Sequence, residues 1–268
     1  DKTAASKIVT VRLKANSSLL ADVVVNHRGG TTSWTDFTEP AWSCKTITNT
    51  DEANRSTAYT SQRPCGNADT GDDFDGGRDL DHTQQETRDG VKEFLTRLKA
   101  LGFDGWRWDV AKGFSAQYFG EYNTASKPYY SVGEYWDGNA NTLKNWIDGT
   151  TKNSGAFDFS NYYTLANALR WNSYGALNAG GRMPGISGFI GYDDKSVTFV
   201  DNHDTFTKDE AILGDNIMKG YAYILTHPGI PCDWAPHYFG GSYTKESVTR
   251  TYTDNQTPIN KLMAIRKA

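Results

Sequence analysis

The sequence predicts an α/β fold built on a parallel sheet: a TIM-type (β/α) barrel that is incomplete, with six of eight strands and a loop-rich subdomain inserted after the first. Three observations predict it. Strand-like and helix-like segments alternate in units of roughly 25 residues or more, the pattern of parallel strands joined by crossover helices. The run Leu19-Leu20-Ala21-Asp22-Val23-Val24-Val25 is short, Val-rich and almost continuously apolar, as a strand buried on both faces reads. Residues 28–80 are rich in Gly, Thr, Ser, Asn and Asp instead, and are too long for an ordinary loop in a compact domain. The barrel is therefore expected from 1–27 and 81–268, and the inserted subdomain from 28–80.

After Glu86 the apolar residues Val91, Phe94, Leu95, Leu98 and Leu101 recur at helical spacing, and Gly102 supplies a stop. A strand is expected from Phe103 to Val110 and the next over Tyr129–Glu134, with a helix around Thr142–Asp148. Ala156–Phe159 reads as a strand before a helix at Tyr162–Leu169, and Ser196–Val200 as a strand before a helix near Ile212–Thr226. Ile230–Trp234 is the last strand and Pro258–Arg266 a closing helix. A closed barrel needs eight strands and typically ~250 residues. With residues 28–80 spent on the insertion, two βα units are missing. Six strands leave two open edges, so low stability, self-association or a covering role for residues 1–18 is expected.

The chain has 268 residues, 28 Lys+Arg against 32 Asp+Glu, and a net charge of −4. Such weak acidity speaks against a nucleic-acid groove or an anionic membrane surface as partner. Apolar residues make up 37%, which suits a packed core, and no run approaches the ~18 residues of a membrane span. Disorder, collagen and coiled coil are excluded by composition. Aromatics reach 13%, a load common in proteins that stack on flat ligands. Trp34, Trp42, Trp146, Trp171 and Trp234 read first as core, whereas Trp136 belongs in a cleft because it follows Glu134 so closely. His82, His227 and His237 read as structural. Cys44 and Cys65 either pair in an oxidising compartment or stand, with Cys232, as separate thiols; their spacing does not choose.

Polar residues cluster where a parallel barrel carries its active site, at the C-terminal strand ends. Those ends read Asn26-His27, then Arg107 and Asp109, then Glu134, then His203-Asp204. Two carboxyl groups flanking a scissile bond are the apparatus of glycoside hydrolysis. Asp109 and Glu134 stand one βα unit apart, so they belong to neighbouring strands at ~4.8 Å, near the ~5–5.5 Å of retaining enzymes. Arg107 shares a strand face with Asp109 and would keep it ionised, while Glu134 beside Tyr135 and Trp136 would have a raised pKa. Asp69, Asp72, Asp73, Asp75, Asp79 and Asp81 crowd one loop. That crowd suits a hard cation, or is simply a solvated acidic loop.

Four ordered segments carry a resemblance: Asp22-Val-Val-Val-Asn26-His27, Gly105-Trp-Arg107-Trp-Asp109-Val-Ala-Lys112-Gly113, Gly133-Glu134-Tyr-Trp136 and Phe199-Val-Asp-Asn-His203-Asp204. Together they resemble the motifs of the alpha-amylase family of glycoside hydrolases, in its plant-type and related bacterial form, over most of 19–235. The resemblance implies Asp109 as nucleophile, Glu134 as acid/base and Asp204 as the third carboxylate. It implies that His27, Arg107 and His203 hold the sugar at the cleavage site, with Trp136 in the cleft, and that Lys112 contacts the next sugar. It also implies a structural Ca2+ where the insertion meets the barrel, at Asn26, Asp73, Asp79 and the Gly113 carbonyl. The implied activity is retaining endo-hydrolysis of α-1,4-glucosidic bonds in starch-like glucans by a secreted protein, although no signal peptide precedes Asp1. A related transglycosylase and an inactive glucan-binding remnant are the alternatives. The family's first two βα units have no counterpart before Leu19 and its C-terminal β-domain none after the last helix, so the chain reads as truncated at both ends. Residues 235–250 depart from the family pattern.

Overall fold

The computed structural model describes residues 17–30, 37–57, 63–178 and 180–268. Ten strands occur among them: β1 (Leu20–Val23), β2 (His27–Arg28), β3 (Arg78–Asp79), β4 (Gly105–Trp108), β5 (Ser131–Gly133), β6 (Gly155–Phe157), β7 (Ser196–Phe199), β8 (Ile230–Cys232), β9 (Gly241–Lys245) and β10 (Val248–Tyr252). The helices are α1 (Glu52–Arg55), α2 (Gln85–Ala100), α3 (Ala116–Ser126), α4 (Ala140–Gly149), α5 (Phe159–Trp171), α6 (Asn216–Thr226), α7 (Ala235–Phe239) and α8 (Gln256–Lys267). Six strands form one sheet in the order β1-β4-β5-β6-β7-β8, every pair parallel. All six are those the sequence predicts.

The sheet curls into a half-barrel. Leu20 and Asp22 on β1 and Cys232 on β8, the two outermost strands, line one cavity of about 240 Å³ together with Phe157, Phe199 and Trp234. Among the described residues β1 and β8 each pair on one side only. Residues 1–16, most of the segment expected to cover that gap, lie outside the described residues, as does Trp34.

Alternation along β4 sets which side is which. Trp106 and Trp108 are fully buried against the helices, where Trp106 Nε1 donates to Ser126 Oγ (2.9 Å) and Trp108 Nε1 to Ser131 Oγ (2.8 Å). Buried indole N–H groups need such partners. Arg107 points to the opposite side, into the curl. One core gathers Trp106, Trp108, Phe119, Tyr122, Leu143 and Trp146; a second gathers Phe159, Tyr162, Phe199, Tyr221 and Tyr252. Trp146 is thus core, as expected, whereas Trp171 is exposed.

Several elements differ from the sequence reading. Helix α3 fills the connection between β4 and β5, with Tyr118, Phe119 and Tyr122 on its buried face; aromatic and polar residues there mask a period that aliphatic residues would have made plain. Helix α6 starts at Asn216, not Ile212, because the Ile212 amide donates to the buried Asp201 carboxylate (2.9 Å). After β8, α7 and the antiparallel β9–β10 hairpin precede α8.

The stretch between β1 and α2 is held by polar contacts more than by apolar burial. Arg78, 1% exposed, forms ion pairs with Asp51 and Glu52. Asp51 also caps α1 by accepting from Ala53 N (2.8 Å) and accepts from Asp79 N (3.0 Å). Cys44 and Cys65 are joined by a disulfide. Among the described residues no helix is long and apolar enough to cross a membrane.

Candidate active site

The C-terminal ends of four parallel strands carry the polar residues singled out above. Beyond the strands the ladder continues: Asp109 N donates to Val23 O (3.0 Å), and Glu134 N to Trp108 O (2.8 Å). Trp108 pairs with Gly133, so Asp109 and Glu134 are the next residues on adjacent strands. Both carboxyl groups are paired with the same guanidinium, that of Arg107, and the charge of Asp109 acts on Glu134.

Arg107 is the hub. Its Nη1 lies 2.9 Å from Asp22 Oδ1 and also donates to Asp109 Oδ1, while Nη2 lies 2.6 Å from Glu134 Oε1. Burial alone lowers the Arg107 pKa, but the negative charges of Glu134, Asp22 and Asp109 outweigh it and raise the value overall. Glu134 is 8% exposed. Burial pushes its pKa up to about 7; Arg107 opposes this, and Asp109 and Asp204 add to it. A carboxyl group in that state keeps a proton available near neutral pH, as the aromatic surroundings predicted.

His27 stacks on Phe74 with ring centroids 3.8 Å apart and planes within 5°. Burial lowers its pKa, partly offset by Asp109 and Glu52. Asp204 approaches Glu134 closely enough to raise its pKa. One Asp204 oxygen, Oδ2, lies 3.1 Å from His203 Nε2, and its amide donates to Asn202 Oδ1 (2.8 Å). Beneath that loop the fully buried Asp201 accepts from Thr205 Oγ1 (2.8 Å) and Tyr162 OH (3.1 Å); burial pushes its pKa to about 7. Lys112 Nζ lies 3.3 Å from Asp137 Oδ2 and 5.3 Å above the Tyr135 ring. Trp136 is half-buried, stacks on Phe159 at 4.6 Å and donates to Tyr163 OH (2.8 Å), which fixes its ring against α5.

The acidic loop forms a second cluster. Asp69, Asp73 and Asp79 offer carboxylate oxygens all within 4.8 Å of one another. Asn26 Nδ2 lies 3.4 Å from Asp79 Oδ1, and Gly113 packs so tightly on the Asn26 amide that a Cβ there would run into it. The four expected ligand positions are therefore in one place, with Asp69 beside them. Burial, helped by neighbouring carboxylates, raises Asp79 to about 7 and Asp69 to about 6. Asp69 Oδ2 is buried without a hydrogen-bond partner. An all-oxygen donor set holding a buried, unpartnered carboxylate oxygen fits a hard divalent cation.

Sequence reasoning left out three residues that the fold brings to these sites. Asp22 faces Arg107 because β1 and β4 are neighbours in register, Asp22 opposite Arg107. Asp69 was one acidic residue among six, with no spacing to single it out. Lys245 reaches Asp204 from β9, and the alternation of Ser242-Tyr-Thr-Lys245 and Val248-Thr-Arg-Thr-Tyr252 about a two-residue turn was the signal for that hairpin.

No protein-family model matches the chain. It is 35% identical over 244 residues to "Probable alpha-amylase 2" of Arabidopsis thaliana, across 82% of this chain and 56% of that protein. It is 36% identical over 198 residues to "Alpha-amylase 3, chloroplastic" of the same plant, across 67% of this chain and 22% of that protein. Among solved structures, an Anoxybacillus alpha-amylase superposes with a TM-score of 0.62 at 18% identity, covering 93% of this chain and 56% of that one, and at that identity shows the fold alone. The chain thus spans about half the length of the first of these relatives, or less. With the four motif segments gathered on one rim of a half-barrel, and the plant relatives matching across most of the sequence, the chain belongs to the alpha-amylase family of glycoside hydrolases.

Proposed function

We propose that the chain is a retaining endo-hydrolase of α-1,4-glucosidic bonds in starch-like glucans. The observation that carries this reading is that Asp109 and Glu134, at the ends of adjacent strands, both pair with the one Arg107 guanidinium. Carboxyl groups on adjacent strands, ~4.8 Å apart, and bridged by one guanidinium are near the ~5–5.5 Å spacing of double displacement and short of the ~6.5–9.5 Å that leaves room for a water in direct inversion. In the first step an Asp109 oxygen bonds to the anomeric carbon while Glu134 gives its proton to the departing glycosidic oxygen. In the second, Glu134 takes a proton from water, and the water oxygen displaces Asp109 from the same carbon. Asp204 faces the positive charge that develops on the ring between these states. His27 and His203, with Arg107, are the sugar-holding groups at the cleavage point; Lys112 serves the adjoining sugar and Trp136 the cleft wall.

Asp69, Asp73, Asp79, Asn26 and the Gly113 carbonyl would hold Ca2+. The ion would supply charge neutralisation for the buried carboxylates and a tie between residues 28–80 and the barrel. The Cys44–Cys65 disulfide supports an oxidising compartment, consistent with secretion. The test is release of reducing ends from soluble starch by this chain, with Asp109→Asn as control. Products followed by NMR should appear as α-anomers; initial β-anomers, or release undiminished in the control, would overturn the reading.

A further inference from the structure

Lys245 has no role in the proposed reaction, yet its ammonium group pairs with Asp204 Oδ1 and donates to the His203 carbonyl at 3.4 Å. It stands at the last position of β9, opposite Val248 across the Glu246-Ser247 turn. A lysine on a loose hairpin would be a solvated charge with little effect. This hairpin is not loose. Tyr252 on β10 is 6% exposed and packs 4.8 Å from His237 and 5.4 Å from Trp234. Arg250 Nε donates to the Phe206 carbonyl (3.3 Å), tying β10 to the loop that carries Asp204. Hydroxyl pairs Ser242–Thr251 (2.8 Å) and Thr244–Thr249 (2.9 Å) fix the register between the strands.

Asp204 needs such a support. It sits beyond the end of β7 on a short 3-10 turn, so no sheet ladder orients its side chain. Its other oxygen, Oδ2, pairs with His203, whose side chain is 59% exposed. A carboxylate that stabilises a developing cation is effective when its direction is fixed before the reaction rather than during it. We propose that Lys245 is a positioning residue for Asp204: the β9–β10 hairpin holds an ammonium group against Oδ1 and so sets the direction of the carboxylate within the active-site rim. The role in turnover rests on the glycosidase reading; the ion pair itself does not.

The full chain is assayed on a soluble maltooligosaccharide as wild type, Lys245→Met and Lys245→Arg, with melting curves for each. Loss of a charge-assisted contact that acts in the transition state should lower kcat about ten- to a hundredfold in Lys245→Met, with KM changed by no more than about twofold. Lys245→Arg should recover most of kcat. Unchanged kcat in Lys245→Met overturns the proposal, as does a loss that arginine fails to restore and that tracks a fall in melting temperature. A wild type that releases no reducing ends sinks the glycosidase reading instead. In that event a double-mutant cycle of Lys245→Met and Asp204→Asn on thermal stability decides the pairing: coupling supports it, and additive effects overturn it.

Discussion

The side-chain amide of Asn26 lies 3.4 Å from Asp79 Oδ1, and Asp79 in turn pairs across a two-residue ladder with His27. Two adjacent residues therefore face two sites: Asn26 the acidic cluster, His27 the rim that carries Asp109. The same short stretch of antiparallel backbone positions both, and Phe74 on the acidic loop supplies the ring on which His27 stacks. A change at the acidic cluster has a direct mechanical route to His27 through Asp79 and Phe74.

Calcium should stabilise the protein in a pH-dependent way. Asp79 and Asp69 have folded-state pKa values raised to about 7 and about 6, above the unfolded carboxylate value of 3.8. For raised carboxylates the folded state binds the extra protons, so their contribution is present below about pH 4 and lost as pH climbs through 6 to 7. In excess chelator the melting temperature should therefore fall between pH 5 and pH 8. Binding to the folded state alone adds about 2.7 kcal/mol at a hundredfold excess over Kd, on the order of 5–10 °C for a domain of this size. The recovery on adding Ca2+ should be largest at pH 8, and Asp79→Asn or Asp69→Asn should abolish it. Scanning calorimetry that shows equal melting with calcium and chelator at pH 8 would count against the site.

On the proposed reading, Glu134 should set the alkaline limit of activity. Its pKa is raised to about 7 mainly by burial, so the protonated acid is lost as pH rises through that value. Starch hydrolysis should decline above about pH 7, and Glu134→Gln should lower kcat by ~10²–10⁴ and remove that limb from the profile. A wild-type rate constant up to pH 9 would sink the assignment of Glu134 as the proton donor.

Much of this was legible in the sequence because the relevant signals are local. The six parallel strands announce themselves as short apolar runs, and Arg107 and Asp109 share a face because strand side chains alternate. What was not legible depends on contacts between distant segments. Asp22 becomes an Arg107 partner only once β1 lies beside β4, and Lys245 meets Asp204 only once a hairpin after the last strand folds back over the rim. Trp136 shows the same limit from the other side. Its position two residues after Glu134 was plain, but that its ring would be fixed by Phe159 and Tyr163 of α5 was not.

Arg78 should be the least replaceable residue between β1 and α2. Its side chain is 1% exposed and paired with Asp51, itself fully buried, and with Glu52. Removing one partner of a buried pair leaves an uncompensated charge, at about 3–5 kcal/mol. Arg78→Met should therefore lower stability by that amount in urea or thermal unfolding, whereas Arg55→Met, which breaks only the exposed contacts to Asp73 and Asp75, should change it by less than ~1 kcal/mol. Equal effects of the two substitutions would refute a special role for the buried pair.

Gly133, immediately before Glu134, is required by Trp146. A Cβ on Gly133 would stand 2.8 Å from Trp146 Cζ2, and closer still to Cη2, inside a ring that is buried in the first core. Neither β5 nor the indole can yield freely, since β5 is paired on both sides and Trp146 packs on Phe119 and Tyr135. Gly133→Ala should then cost about 1–3 kcal/mol of overpacking and shift the backbone that carries Glu134, with a loss of kcat out of proportion to the loss of stability. Trp146→Phe removes the atoms in conflict together with a buried Nε1 that has no hydrogen-bond partner. The double variant Gly133→Ala/Trp146→Phe should recover both stability and kcat relative to Gly133→Ala alone. If the two substitutions are simply additive in unfolding and in turnover, the ring is not what makes glycine necessary at this position.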